Sequence, residues 1–349
     1  MTARYPLVLN GTQIQELQAG DSLIGDFLLY GVFKKDVPRQ RLLTSPTATT
    51  LAIQTKLWVE VGGLLMSFNS GTSVVMPSLT AGNDYAVYAC TDGTLRADSN
   101  FSVPTGYTTA NSRFIGSAHY APGGNATAQS GGNTTPAFNP YSLFDLTYRP
   151  SRKDWRGMTT DPGEGLCAMI YLLNTDPGAN GASKYNVTIA DGSSPPKIPT
   201  QFGGNGSTTY GDLNWWTARE VLAANGMRPP TYGEFSALAY GTTEASSIGS
   251  DQGSTILNAA YTSKCGLIQA SGVMYVWGDE FGGGTAAAGW TANTGGRGQT
   301  YQLENAVVLG GAWTGGAYAG SRCSYWGDAP SSSSSIFGAR GVCDLLILD

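Results

Sequence analysis

Short alternating runs of hydrophobic and polar residues, separated by turn-forming residues, fill the first 150 positions of the chain. Residues 57–61 and 85–89 show the two-residue period that places alternate side chains on one face of a β-strand, and shorter runs stand at 7–9 and 27–29. Asn-Gly at 10–11, Asn-Asp at 83–84 and Asp-Gly at 92–93 are pairs typical of tight turns. The pattern predicts short strands joined by tight turns.

The period changes in the second half of the chain, where two helices are predicted between residues 215 and 241. In the first, positions 218, 221 and 222 are apolar at helical spacing and Gly226 follows as the stop. In the second, Thr231 is an N-cap and Glu234 completes a capping box. Positions 235, 238 and 239 form its apolar face, and Gly241 ends it. Residues 165–174 and 185–191 are predicted to be buried strands.

These patterns divide the chain into three predicted domains. Residues 1–50 form an attachment segment too small to bury a core alone, so we expect it to close its core with copies of itself. Residues 51–150 are predicted to be a β-sandwich spacer. A boundary near 151–158 precedes a mixed domain over 151–349. The expected fold class is mostly β, or α+β.

The final stretch, residues 309–349, alternates between two kinds of residue. Glycines suit positive φ or close backbone approach, whereas Trp and Arg anchor by packing and by hydrogen bonds to carbonyl groups. Between them stand Ser, Gly and Tyr, the composition of a binding paratope, and 342–349 is predicted to be a buried terminal strand. The predicted frame residues are Gly310, Gly311, Trp313, Gly320, Arg322, Trp326, Pro330, Gly338, Arg340 and Gly341.

This stretch resembles the variable region of C-type-lectin-fold proteins that retroelements diversify and that bind receptors at phage tail tips. The resemblance is nearly continuous from about residue 75 onward and includes segments 76–108, 120–135, 183–193, 234–245 and 291–298. The first seventy or so residues show little of it. Segments 228–234, 276–281 and 310–313 are similar to motifs of formylglycine-generating enzymes, which elaborate the same lectin fold.

The resemblance implies a trimer with an amino-terminal β-prism and a receptor-binding face on the lectin-fold domain. It also implies attachment to a phage tail fibre or baseplate, and a location in the virion after synthesis in the host cytoplasm. The receptor would be a protein or glycan of the bacterial surface. Carried over residue by residue, the display positions are Ala312, Thr314, Gly316, Tyr318, Cys323, Tyr325, Gly327, Asp328, Ser332, Ser334, Ile336 and Phe337.

Composition narrows the classes of partner. Only 13% of the 349 residues are charged and the net charge is −5, so no basic face is available to neutralise nucleic-acid phosphates. With 48 glycines and 18 tyrosines, the chain fits turn-rich β-structure. No run of twenty apolar residues occurs, and we expect no membrane insertion.

Candidate catalytic groups are few. The five cysteines have no metal-ligand spacing, and most are expected to be buried thiols; His119, the only histidine, is expected to be structural or at the surface. Calcium-lectin motifs are missing, and Glu280 is expected to accept hydrogen bonds within the fold. We therefore expect no enzyme and no cofactor, although a structural divalent cation without assignable ligands is allowed.

The predicted function is recognition of a host surface molecule at the tip of a phage tail. Tyr318, Tyr325 and Phe337 are expected to dominate the contact. Two alternatives remain open at this point. One is a bacterial or prophage surface adhesin that shares the lectin domain, and the other is an oxidase similar to the formylglycine-generating enzymes, with Cys323 or Cys343 as the reactive thiol.

Overall fold

The computed structural model describes residues 7–10, 13–16, 31–282, 290–292, 299–301 and 305–348. As expected, the described chain is mostly β with few helices. The strands are β1 Leu7–Asn10, β2 Gln13–Glu16, β3 Phe33–Lys35, β4 Leu43–Thr47, β5 Thr50–Ile53, β6 Leu57–Val61, β7 Leu64–Phe68, β8 Val74–Val75, β9 Asn83–Cys90, β10 Leu95–Asp98, β11 Ser112–Ala121, β12 Ala137–Phe138, β13 Phe144–Asp145, β14 Tyr148–Pro150, β15 Met158–Thr160, β16 Leu166–Met169, β17 Tyr275–Gly282, β18 Trp290–Ala292, β19 Gln299–Tyr301, β20 Asn305–Leu309, β21 Ser324–Asp328, β22 Phe337–Gly338 and β23 Val342–Ile347. The α-helices are α1 Pro177–Asn180, α2 Trp215–Ala224 and α3 Tyr232–Leu238, and 3-10 turns lie at Thr200–Phe202, Ala259–Tyr261 and Gly316–Tyr318.

A ten-stranded sheet joins the first half of the described chain to the second. Its order is β15-β16-β23-β14-β13-β11-β9-β10-β8, and β12 pairs with β11. The terminal strand β23 lies between β16 and β14, antiparallel to both. Its first two residues are buried as predicted, but Asp344 is exposed and residues 345–347 are only half-buried. This strand therefore completes the sheet without being fully enclosed.

The first core lies among β4 to β12. The predicted alternation at 57–61 is confirmed, because residues 57, 59 and 61 are buried in this core. In β9 the residues of both faces are buried, one set in this core and the other beneath Phe101, Tyr107 and Phe114. The turn at 92–93 is confirmed, since Gly93 (φ +82°) joins β9 to β10. The turn predicted at 83–84 is wrong: both residues begin β9, and the turn lies at Gly82 (φ +84°).

A buried ion pair ties β3 to the edge of this core. Lys35 Nζ donates to both carboxylate oxygens of Asp145, at 3.2 and 3.1 Å, and to the Gln40 carbonyl at 2.6 Å. Asp145 also accepts from the backbone N–H groups of Leu42, Thr147 and Tyr148 at 2.7 to 3.0 Å. Both side chains are essentially inaccessible to solvent. Such a charge pair is tolerated in the interior only because nearly all its hydrogen-bonding capacity is used.

The predicted helices are present in the second half. Helix α2 has a capping box on Asn214, and Gly226 (φ +71°) stands two residues beyond its last residue. Helix α3 begins with the predicted capping box of Thr231 and Glu234. The Glu234 carboxylate also pairs with Arg228 at 2.6 Å, and that contact lowers the pKa of Glu234. The apolar faces of both helices are buried.

One of the two predicted strands of this half is absent. Residues 166–169 form β16 and the following residues through 174 remain buried, as predicted. Residues 185–191 make only isolated bridges, Asn174 with Ile189 and Thr188 with Ser254, and no strand. The backbone of that segment is irregular, and its apolar residues Ile189 and Ala190 are buried.

His119 is structural, as expected, and it joins residues of both halves. Its Nδ1 lies 3.0 Å from Asp84 Oδ1, and its Nε2 lies 2.8 Å from the Tyr171 hydroxyl. Asp84 accepts a further hydrogen bond from the Gly157 N–H at 3.0 Å. Burial raises the pKa of Tyr171 well above its usual value. These hydrogen bonds connect β11 to residues beyond β16.

The division at residues 50 and 150 stays a prediction. The hairpin of β4 and β5 spans position 50, and the ten-stranded sheet spans position 150. At the amino terminus, β1 and β2 pair antiparallel with Asn10 opposite Gln13, and Gly11 of the turn predicted at 10–11 lies outside the described residues. The run at 27–29 lies outside the described residues.

Candidate functional site

A four-stranded sheet carries the 309–349 segment. Its order is β21-β20-β17-β22, with β20 antiparallel to β17 and β21 and with β22 parallel to β17. The segment leaves β20 at Leu309, returns as β21, crosses to β22 and enters the larger sheet as β23. β21 is hydrogen-bonded to β20, and β22 is hydrogen-bonded to β17. Each connecting loop of the segment therefore begins and ends at a strand that is held in a sheet.

Two consecutive glycines make the first turn. Gly310 and Gly311 both adopt left-handed backbone conformations, with φ of +87° and +82°. A Cβ atom on Gly310 would lie 2.7 Å from the Phe235 ring, and one on Gly311 would lie 2.6 Å from Ala319 Cβ. Both conformation and space therefore demand glycine, as predicted for the frame.

Arg340 is the strongest anchor of the frame. Its guanidinium is fully buried and donates to the carbonyl groups of Met169 and Ile170 at 2.6 Å, and of Ile268 and Gln269 at 2.7 and 3.2 Å. Burial lowers its pKa to about 9, so the group stays charged at neutral pH. It joins the strand β16 to the loop before β17, which confirms its predicted role.

The two tryptophans of the segment are frame residues as well, whereas Arg322 is not. The backbone N–H of Trp313 donates to the Val273 carbonyl at 2.9 Å, and the indole Nε1 of Trp326 donates to Ser324 Oγ at 3.1 Å. Both rings pack against the core of this half. Arg322 was predicted to be frame, but its side chain is exposed and has no hydrogen-bond acceptor among the described residues. That prediction is wrong.

The structure sorts the twelve predicted display residues by exposure. Tyr318 is 86% exposed and Tyr325 is 49% exposed. Tyr325 lies across Gly327, where an added Cβ would come within 2.4 Å of the Tyr325 hydroxyl oxygen. Exposed with the two tyrosines are Thr314, Gly316 and Gly327; half-buried are Cys323, Asp328, Ser332, Ser334 and Ile336.

Two of the twelve are corrected by their burial. Ala312 is fully buried, and its backbone forms an isolated parallel β-bridge with Val273. Phe337 is only 5% exposed, because its ring packs 5.1 Å from Trp277 and 6.1 Å from Tyr275. Neither side chain offers outward contact area. Phe337 belongs to the core beneath the surface and is not a dominant contact.

The corrected role of Phe337 gives a first prediction. Phe337→Leu removes ring contact with Trp277 and is expected to lower the free energy of unfolding by roughly 1–2 kcal/mol, while adsorption to host cells at low temperature changes less than twofold. Chemical denaturation and cell-binding assays measure the two effects. A variant with unchanged stability and lost binding would return Phe337 to the contact surface.

Tyr275 lies beside the predicted display residues, although its own sequence context indicates only an apolar strand. It is half-buried, and its ring lies 6.4 Å from the Tyr325 ring. Burial raises its pKa, helped by Cys323, Asp328 and Tyr325 nearby. Three predicted display residues thus surround one side chain of β17. We define the display surface as the predicted display residues that are exposed or half-buried, together with Tyr275: Thr314, Gly316, Tyr318, Cys323, Tyr325, Gly327, Asp328, Ser332, Ser334, Ile336 and Tyr275.

Titratable groups near the display surface do not form an acid–base or nucleophilic arrangement. Burial raises the pKa of the Cys323 thiol, which keeps it in the less reactive protonated form. Cys343 is buried opposite Cys167 on paired strands, and all five cysteines are free thiols, four of them buried as expected. Glu280 accepts from the Tyr232 N–H at 2.8 Å, as expected.

Among the described residues no group of three or more His, Cys, Asp or Glu could hold a metal ion. Nor does a helix of the described chain have the length and apolar character needed to cross a membrane.

Comparisons with known proteins agree over nearly the whole chain. A family model described as the Mtd second domain matches residues 41–145. The tail fiber receptor-binding protein of Bordetella phage BPP-1 is 52% identical over 309 residues, covering 86% of this chain and 81% of that protein. The solved structure of the major tropism determinant U1 variant superposes with a TM-score of 0.93 at 45% identity, covering 99% of this chain and 96% of that one. The M1 variant gives a TM-score of 0.91 at 48% identity, with 93% and 88% covered. The chain therefore belongs to the major tropism determinant family.

Proposed function

We propose that this protein is a non-enzymatic receptor-binding protein of a phage tail fibre and that its display surface recognises a molecule on the host bacterium. The observation that carries the proposal is the exposure of Tyr318 and Tyr325 on a backbone fixed by Arg340 and the glycine turn. The similar protein of Bordetella phage BPP-1 is named a tail fiber receptor-binding protein. Adsorption and location in the virion follow from that role.

The physical basis is contact by preordered aromatic side chains. Tyrosine gives a large contact area with few rotatable bonds, and glycine and serine between the tyrosines allow close approach. Because the backbone is already fixed, ordering it costs little when the receptor binds. Tyr275 supports the Tyr325 ring from below. The display surface therefore has the features of a protein-recognition surface.

The finer architecture is part of the proposal. Residues 151–349 would form a C-type lectin fold of the formylglycine-generating-enzyme type, residues 51–150 a β-sandwich spacer, and residues 1–50 a β-prism that trimerises and attaches to the fibre or baseplate. The antiparallel pair β1–β2 supports a β-structured amino terminus. Three copies would raise adhesion through avidity. Diversification of the display positions by a retroelement is supported by their alternation with a rigid frame.

Truncation of the exposed tyrosines tests the proposal. Tyr318→Ala and Tyr325→Ala are each expected to weaken adsorption of the purified protein to host cells by ~1–3 kcal/mol, which is about 5- to 150-fold in affinity. Val37→Ala, a similarly exposed apolar residue outside the segment, serves as control and is expected to bind unchanged. Flow cytometry with labelled protein measures the affinities. Full binding by both tyrosine variants would exclude this surface.

Mass spectrometry of purified virions tests the location. We expect peptides of this chain in the virion of the phage that encodes it, and inhibition of phage adsorption by the free protein. Presence only in the bacterial envelope would favour the adhesin instead.

A further inference from the structure

A cleft borders the display surface on the side of helix α3. It has a volume of about 680 Å³, within the range of about 300–1,000 Å³ that is usual for ligand clefts. Arg322 and Ser321 from the 309–349 segment line one side. Tyr240, Glu244 and Lys264, which the sequence did not single out, line the other. The cleft therefore joins variable-type residues to residues far away in the sequence.

The two positively charged side chains of the cleft form no ion pair among the described residues. The side chains of Arg322 and Lys264 are both exposed, and neither has an ion-pair or hydrogen-bond partner within the described ranges. Most other arginines of the described chain have such partners, for example Arg228 on Glu234 and Arg219 on Asp279. A solvated lysine alone is ordinary on a protein surface. An arginine and a lysine lining one cleft exceed its one carboxylate, Glu244, by one positive charge, which favours an anionic ligand.

Both oxygens of the Glu244 carboxylate, which lines the cleft, accept hydrogen bonds from Ser321. Glu244 Oε2 accepts from the Ser321 N–H at 2.9 Å, and Oε1 accepts from Ser321 Oγ at 2.6 Å. A Cβ atom on Gly320 would lie 2.3 Å from Glu244 Oε2, so the backbone approaches this carboxylate closely. Glu244 thus fixes the segment next to Arg322 and makes no ion pair with the guanidinium. The wall that carries Arg322 is ordered before any ligand arrives.

We propose that Arg322 and Lys264 bind a carboxylate from an acidic segment of a host surface protein, with Tyr240 packing beside it. The inference rests on the proposed function and extends its contact surface across the cleft. Arginine matches carboxylate geometry through two parallel N–H donors, and Tyr240, 44% exposed, adds aromatic area. The attraction is local, because the whole chain carries a net charge of −5 and repels long polyanions. One or two carboxylates on a protein chain fit that charge balance better than a densely charged glycan.

Charge removal tests the assignment. In the full-length protein, Arg322→Gln and Lys264→Gln are each expected to reduce affinity for intact host cells about 10-fold at ~0.15 M salt, and to make the remaining binding less dependent on salt. Lys153→Gln removes an exposed charge elsewhere and is the matched control, with no expected change. All three side chains are exposed, so thermal unfolding is expected to be unchanged. Wild-type affinity and salt dependence in both Arg322→Gln and Lys264→Gln would overturn the proposal.

Treatment of the cells identifies the class of ligand. Amidation of cell-surface carboxylates with a carbodiimide, or digestion with protease, is expected to bring wild-type binding down to the level of Arg322→Gln or below. Periodate oxidation of glycans is expected to leave the difference between wild type and Arg322→Gln intact. Loss of that difference after periodate alone would assign the cleft to an acidic glycan and overturn the proposal. If Tyr325→Ala abolishes binding while both charge variants bind normally, the display surface stands and only the cleft fails.

Discussion

Replacing Arg340 by methionine is expected to lower the free energy of unfolding by roughly 3–5 kcal/mol. Methionine fills similar space but removes the donors that the Arg340 guanidinium directs at the carbonyl groups of Met169, Ile268 and Gln269. The Ile170 carbonyl keeps a second donor, the Ile268 N–H at 2.9 Å. Loss of the buried charge offsets part of the cost, since burial already disfavours the guanidinium, as its pKa of about 9 shows. Urea denaturation measures the difference.

Arg340→Lys separates hydrogen bonding from charge. A single ammonium group donates at most three hydrogen bonds from one nitrogen and cannot span both pairs of carbonyl groups, so we expect an intermediate loss of stability. Binding at temperatures well below unfolding should be reduced in the same order, because the carbonyl groups hold the backbone of the display surface. A methionine variant as stable as wild type would show that apolar packing alone fixes this segment.

Asp145→Ala is expected to cost a similar amount, about 3–5 kcal/mol, for a different reason. The substitution leaves the Lys35 ammonium buried with the Gln40 carbonyl as its remaining acceptor among the described residues. It also leaves the backbone N–H groups of Leu42, Thr147 and Tyr148 without the carboxylate. Because Asp145 lies in β13, the substitution removes the ion pair that joins β3 to the ten-stranded sheet.

A double substitution checks the origin of this cost. Adding Lys35→Met to Asp145→Ala removes the stranded charge, so the double variant is expected to be more stable than Asp145→Ala alone, although less stable than wild type. Equilibrium unfolding of the four proteins of this cycle gives the coupling. If the second substitution adds a further loss of stability, the backbone hydrogen bonds and not the buried charge carry the effect.

Local sequence signals predicted what depends on local structure. The capping box of Thr231 and Glu234 marks the start of α3 because its two hydrogen bonds lie within four residues. Gly226 marks the end of α2 for the same reason. The pair at 83–84 was placed wrongly, since Gly82 supplies the left-handed turn and leaves Asn83 free to begin a strand. Segment 185–191 has the composition of a strand but finds no continuous partner.

Exposure of the binding residues could be predicted only in part, because it depends on residues distant in sequence. Tyr318 and Tyr325 were expected at the surface and lie there. Phe337 looks the same in sequence, but Trp277, sixty positions earlier, covers its ring. β17 carries Tyr275 to the site, and the loops after α3 carry Tyr240 and Lys264 there. The residues next to them in the sequence do not predict this placement. Arg322 and Arg340 both stand among glycines and aromatic residues, so the sequence pattern does not distinguish them. The structure does, because Arg340 is buried in the frame and Arg322 is exposed in the cleft.

The position of β23 has a consequence for synthesis of the chain. Its residues 342–347 lie between β14 and β16 and so join the two parts of the large sheet. A reading-frame shift or a premature stop anywhere upstream therefore deletes the strand that connects them. A chain without β23 would leave the edges of β14 and β16 unpaired, and cellular proteases would degrade it before assembly. Among chains altered in the codons that precede β23, only those with an intact reading frame therefore fold completely.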